Sequence, residues 1–183
     1  MATRLLRLIR RGVGAAAGAV VLTGCVTAAP VNYAPSSVMT ASGSVGVSSF
    51  RYLPAENGTV ASNQLKNTAI GDVKIDRDVK DFFRDAVFAE LRFVGIKLDD
   101  KTRTLSGDIL EFLVDDLGYS IDWTLRVRYQ VAAADASSPL FNAEKIVKRK
   151  TAKMVNPFGA LNETIKLNVE ELIKDPAFIK AIN

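Results

Sequence analysis

The sequence predicts an α+β fold: two helices packed on one face of an antiparallel sheet of about four strands, in the order strand-helix-strand-strand-strand-helix. Three observations predict it. Ile121, Trp123, Leu125, Val127, Tyr129 and Val131 alternate with Asp122, Thr124, Arg126, Arg128 and Gln130. Such alternation sets one strand face on a core and the other in water, as in antiparallel sheets. Val79, Phe82, Phe83, Ala86, Val87, Leu91 and Val94 follow the spacing of a single helical stripe, and Leu161, Ile165, Val169, Leu172 and Ile173 form a second. Helices gathered on one side of such a sheet make a two-layer sandwich.

Taken in order, Ser44 to Tyr52 is the first strand. Its apolar parity switches between Val47 and Phe50, which predicts a bulge or twist. Leu53 to Asn67 reads as a long polar connection with turn signals at Pro54 and Asn57-Gly58, and so as a candidate contact surface. Ile70 to Ile75 reads as a short extended segment. The first helix runs from about Arg77 to Val94, with Asp76 as N-cap, Asp78 and Asp81 near the positive end of the dipole, and Gly95 as a left-handed stop. Phe88 falls off its stripe.

Ile96 to Leu98 and Arg103 to Val114 read as strand, separated by a turn at Asp99-Asp100. Gly107 inside that run predicts a bulge or close packing against a helix. A hairpin turn at Asp115 to Gly118 leads into the alternating strand. Phe141 to Lys153 is the last strand, and Met154 to Ala160 a loop. The second helix, about Leu161 to Lys174, is broken by Asp175-Pro176, which starts a final turn carrying Phe178, Ile179 and Ile182.

The N-terminus is of another kind. Arg4, Arg7, Arg10 and Arg11 precede a run of small and apolar residues from Gly12 to Leu22. That run is about half the ~20 residues a membrane-spanning helix needs, so it fits the centre of a signal peptide. It ends in Leu22-Thr23-Gly24-Cys25, which resembles the bacterial lipobox: an aliphatic residue, two small ones, then cysteine. The resemblance implies a diacylglycerol on the Cys25 thiol, cleavage before Cys25 and acylation, with palmitate for example, of the new amino group. Several acyl chains, at about 0.8 kcal/mol per buried methylene, hold a protein firmly to a bilayer. Val26 follows, where the sorting rule of enterobacterial lipoproteins places aspartate for inner-membrane retention, so the resemblance implies the outer membrane, facing the periplasm. The expected organisation is a signal peptide over 1–24, a lipidated N-terminus and flexible Ala/Ser/Thr/Pro-rich tether over 25–42, and one α+β periplasmic domain over 43–183.

Composition narrows the function. The chain carries 24 basic and 20 acidic residues. The signal takes four arginines, leaving 20 against 20, so the mature chain is neutral and gives no support for a nucleic-acid partner. There is no histidine and one cysteine. That removes Ser-His-Asp and Cys-His nucleophiles, the usual zinc ligand sets and any intramolecular disulfide. No cofactor, metal or catalytic residue is expected. A carboxylate pair such as Glu111 with Asp122 is the one enzymatic alternative, since acid–base chemistry can run on two carboxylates.

The chain resembles the YajG-type family of bacterial lipoproteins. The likeness runs through the lipobox, Asp76-Arg77-Asp78-Val79 opening a helix that ends near Phe93-Val94-Gly95, Leu105-Ser106-Gly107-Asp108-Ile109, the Tyr119 to Tyr129 strand and Asp175-Pro176-Ala177-Phe178-Ile179. It implies a non-enzymatic envelope lipoprotein that binds a partner or supports assembly. The alternative is a binder of anionic envelope glycolipid or glycan, related to lipopolysaccharide or peptidoglycan. It rests on Arg126 and Arg128 on the solvent face, joined by basic residues of the next strand, Lys148 and Lys150 with Lys145, Arg149 and Lys153. The competing explanation is a solvated edge whose lysines discourage strand pairing. Expected partners are therefore the membrane, through Cys25, and an envelope protein or glycan.

Overall fold

The computed structural model describes residues 28–68, 72–153 and 156–183. The expected signal peptide over 1–24, the lipobox-like Leu22-Thr23-Gly24-Cys25 and Ile70 of the expected extended segment lie outside them. The fold is α+β. Six strands, β1 (Gly46–Tyr52), β2 (Gln64–Asn67), β3 (Val73–Lys74), β4 (Arg103–Asp115), β5 (Ser120–Ala133) and β6 (Phe141–Ala152), form one sheet in the order β3-β2-β4-β5-β6, with β1 also paired to β4. The helices are α1 (Leu53–Glu56), α2 (Val79–Phe93), α3 (Pro157–Ile173) and α4 (Pro176–Ile182).

The long antiparallel ladder β4-β5-β6 is the one the sequence predicts. The sheet is larger than expected because of what precedes it. β1 runs parallel to β4 along 104–109, and β2 runs parallel to the end of the same strand at Leu113 and Val114. The two share one flank of β4, joined by α1. The stretch read as a polar connection over 53–67 therefore holds a helical turn and a strand. Leu65 explains this: the apolar side chain in a polar neighbourhood is buried at 1% exposure. The shift between Val47 and Phe50 appears as a register irregularity in β1. A second lies between Ile109 and Glu111.

Gly107 has a close packing role, but against a strand. A Cβ there would sit 2.5 Å from the Arg128 carbonyl oxygen and 2.8 Å from the Phe50 ring. Phe50 of β1 occupies that space and meets Phe83 of α2 and Tyr129 of β5, at ring-centroid distances of 5.3 and 6.0 Å. This trio is the centre of the core. The Tyr129 hydroxyl donates to Asn168 Oδ1 at 2.8 Å, and Asn168 Nδ2 donates to the carbonyls of Leu125 and Lys145, so a buried amide binds α3 to β5 and β6.

α2 buries the predicted stripe, and Gly95 stops it with φ +104°. Its start differs. Asp78, not Asp76, is the N-cap, and its carboxylate accepts from Ser62 Oγ rather than from the helix. Asp76 instead accepts the Val31 N–H. α3 begins four residues earlier than the sequence predicts, at Pro157, because Asn156 caps it by accepting the Phe158 N–H at 3.0 Å. Asp175 caps α4 and receives Lys145 Nζ at 2.6 Å, which holds its carboxyl below the usual aspartate range.

The largest correction concerns residues 28–42. They are not a flexible tether but a strap laid over α2 and α3. Ala29 bridges Ile75, Val31 is buried at 3% exposure, the Asn162 side chain donates to the Asn32 carbonyl, and the Ala41 N–H donates to Val94. The strap closes on Glu90 of α2, a carboxylate at 0% exposure. Glu90 accepts from the Tyr33 hydroxyl at 2.6 Å and from the N–H groups of Ser36 and Ser37 at 3.0 and 3.3 Å. Ser37 Oγ donates to Glu170 of α3 at 2.8 Å. The low-complexity composition conceals Val31 and Tyr33, which carry the packing.

Two outcomes test this account. Leu91→Ala should cost about 2–5 kcal/mol in denaturant melts, as truncation in a packed core does, whereas exposed Arg92→Ala should cost less than about 1 kcal/mol. Glu90→Ala strands three donors at roughly 1–3 kcal/mol each if they stay buried. The strap should therefore detach, and amide exchange over 31–41 should accelerate at least tenfold while β5 exchanges as before.

Candidate functional site

Strand register decides which predicted basic residues share a surface. In antiparallel pairing, residues directly opposite each other point to the same side. Arg128 is opposite Glu144, Arg126 opposite Ile146, Thr124 opposite Lys148, and Asp122 opposite Lys150. Arg126, Arg128, Lys148 and Lys150 thus lie on one face, the side away from the helices. Lys145 is opposite Val127 and Arg149 opposite Trp123, so both belong to the helix side. There Lys145 pairs with Asp175, and Arg149 donates to the Ala160 carbonyl at 3.4 Å.

The outer face is not a uniform cationic surface. Arg126 lies 3.4 Å from Glu144 and 3.9 Å from Glu111; Arg128 lies 4.0 Å from both Asp108 and Glu144. Asp108 also faces Arg51 at 3.5 Å, and Lys150 faces Asp122 at 3.4 Å. Lys148 has no ion pair among the described residues. The carboxylates come from β4 and β6 at register positions that sequence alternation cannot pair. Glu111 and Asp122 are not brought together: Glu111 is opposite Arg126, and Asp122 lies four residues further along β5, about 13 Å away.

Beside this ladder, Ser48, Ser49, Arg51, Ser106, Asp108, Arg128 and Gln130 line an open polar groove of about 410 Å³ across β1, β4 and β5. Its hydroxyls, amide and guanidiniums present both donors and acceptors, a set suited to a hydroxylated, partly anionic ligand.

An apolar cleft of about 310 Å³ lies at the end of the sheet where β4 and β6 finish. Its walls include Leu65 of β2, Ile75, Trp123 of β5, and Phe158 and Leu161 of α3; Ala29 of the strap stands at its lip. Trp123 is 3% exposed and donates through its indole N–H to Thr151 Oγ1 at 3.0 Å. Sequence reasoning placed Trp123 in the core and Phe158 in a loop. Only the earlier start of α3 brings Phe158 over the cleft.

No protein-family model matches the chain, and no curated protein matches it. Its fold is similar to that of solved structures. One is the protein XCC0632 from Xanthomonas campestris, described with the family model DUF330, at a TM-score of 0.62 and 13% identity over 84% of this chain and 95% of that one. Another is an uncharacterised protein at a TM-score of 0.50 and 9% identity, over 81% and 98% of the two chains. At these identities the likeness is one of fold: a sheet carrying helices on one side, shared over nearly the whole length of those chains.

Proposed function

We propose that this protein is a non-enzymatic, lipid-anchored lipoprotein of the bacterial cell envelope, a binding or assembly-accessory module on the periplasmic face of the outer membrane. The observation that carries the reading is the sequence Leu22-Thr23-Gly24-Cys25 placed four residues before Ala29, where the docked strap begins. A lipid on Cys25 would hold the domain by a short leash, and no helix among the described residues is long and apolar enough to cross a membrane. The structure of the outer face fits a binding role better than a carboxylate mechanism, since Glu111 and Asp122 stand apart and each faces a cation. The resemblance to YajG-type lipoproteins agrees with this reading.

The groove favours a second reading, recognition of an anionic envelope glycan or glycolipid. Arg128 and Arg51 supply paired donors, and the three serines and Gln130 supply neutral ones. Asp108 between the arginines selects against a simple polyanion, so a sugar bearing isolated acidic groups is the chemistry that fits.

Intact-mass measurement tests the anchor. The mature chain should begin at Cys25 with the mass of about three acyl chains, and Cys25→Ser should leave an uncut precursor; an unmodified mature chain would refute the lipoprotein reading. Titration with peptidoglycan fragments and with lipopolysaccharide tests the groove together with Arg126 of the ladder beside it. Binding should weaken with added salt, because exposed charges are screened within about 8 Å at physiological ionic strength. It should fall at least tenfold in Arg126→Ala/Arg128→Ala with the melting curve retained. Unchanged binding in the double variant would remove these arginines from any site.

A further inference from the structure

We infer that the end of the sheet bearing the apolar cleft is a membrane-docking surface that rests against the bilayer to which Cys25 is anchored. The inference rests on the lipid-anchor reading above and specifies which part of the domain meets the membrane. Its first ground is geometric. Ala29 is bonded to Lys74 and Asp76 through its backbone and lies at the lip of the cleft. It lies four positions after Cys25, with three residues between them, a reach of at most about 14 Å. The strap is clamped onward from Ala29 by Asp76, Glu90 and Glu170, so the leash cannot lengthen by peeling without breaking those bonds.

The second ground is what stands at that end. The hairpin between β4 and β5 carries Leu117 at 72% exposure and Tyr119 fully exposed. It lies beside the cleft, since Asp115 and Asp122 close the ladder one register pair beyond Val114 and Trp123. Phe158, 39% exposed, lines the cleft from the first turn of α3. Single exposed apolar side chains are ordinary; an aliphatic, a tyrosine and a phenylalanine around one apolar cleft next to a lipid anchor are not scattered. Tyrosine suits the bilayer interface, where its ring is buried and its hydroxyl stays wet.

The third ground is charge. β6 ends at the same place, and Lys148 and Lys153 there have no ion pair among the described residues. Of the carboxylates nearby, Asp122 faces Lys150 and Asp72 faces Lys74, whereas Asp115 accepts only from the neutral Thr68 hydroxyl and Leu117 N–H, and Asp116 has no ion pair among the described residues. The charge at this end is therefore mixed, and Lys148 and Lys153 supply the part that anionic headgroups attract. Each contact is weak alone, but a leash of this length gives the docking face a high effective concentration at the surface.

The test uses the full chain, purified acylated and reconstituted in phosphatidylethanolamine–phosphatidylglycerol vesicles. Acylation turns the one native thiol into a thioether, so an introduced cysteine is the only free one. Spin labels are placed at Leu117→Cys and Tyr119→Cys, and at Ala136→Cys in the turn at the opposite end of β5. Labels at 117 and 119 should collide severalfold more with oxygen than with an aqueous nickel chelate, and the label at 136 should do the reverse. Adding Phe158→Asp should shift the label at 117 toward water while the protein still floats with the vesicles. Labels at 117 and 119 as aqueous as that at 136, in protein of acylated mass, would overturn the docking alone. Protein lacking the acyl mass would overturn the anchor and the docking together, and mass measurement reads that before any label is examined.

Discussion

A carboxylate removed from water must be given donors, and Glu90 receives them from the strap. It sits at 0% exposure on the helix that buries the central core stripe, without an ion-pair partner among the described residues. Charge-assisted hydrogen bonds from backbone N–H groups and a hydroxyl are what make such a burial tolerable. The Tyr33 phenol, for its part, is pushed well above its ordinary pKa, first by burial and then by its bond to Glu90, so it stays a donor at any physiological pH. This one site fixes the path of residues 28–42 over the helices. It thereby fixes the end of the domain from which the chain departs toward Cys25.

That path organises the whole molecule. From Ala29 the strap crosses α2 and α3 toward Ala41, which bonds to the C-cap Val94, and β1 then returns along β4. The return strand covers the flank of β4 and inserts Phe50 over Gly107, where no side chain at position 107 would leave room. The helices and the strap thus occupy one side of the sheet. The other side remains in water, and its long strands remain soluble there because cations and carboxylates alternate across β1, β4, β5 and β6. Such exposed pairs add little stability. Their effect is on recognition: they convert what composition makes look basic into a mixed surface with one polar groove.

How much of this was legible depends on the range of the interactions. The alternation of Ile121 to Val131 and the stripe of Val79 to Val94 are local periodicities, and both became the elements they predict. The bulge after Val47 was legible for the same reason. Parallel pairing of β1 and β2 with β4 was not, because it depends on a helix carrying the chain back across the sheet. Asp78 as cap was missed by two residues, since Asp76 offers an equally good local signal and is claimed by the distant Val31 N–H, and Asn156 was read as part of a loop. Of the basic cluster, parity alone placed Arg126 and Arg128 on one face; β5–β6 register was needed to keep Lys148 and Lys150 there and to turn Lys145 and Arg149 to the other.

The sequence by itself determined the α+β class, the two core-facing helices, the hairpin ladder, and the absence of histidine and of a second cysteine, because each is a property of neighbouring residues or of composition. The tertiary structure decided that Glu90 is buried, that the strap is docked, that every outer-face arginine is met by a carboxylate, and that Trp123, Leu65 and Phe158 enclose a cleft beside Ala29. These are contacts between residues tens of positions apart, such as Tyr33 with Glu90 and Ser37 with Glu170. Their burial and hydrogen bonding exist only once the chain has closed on itself.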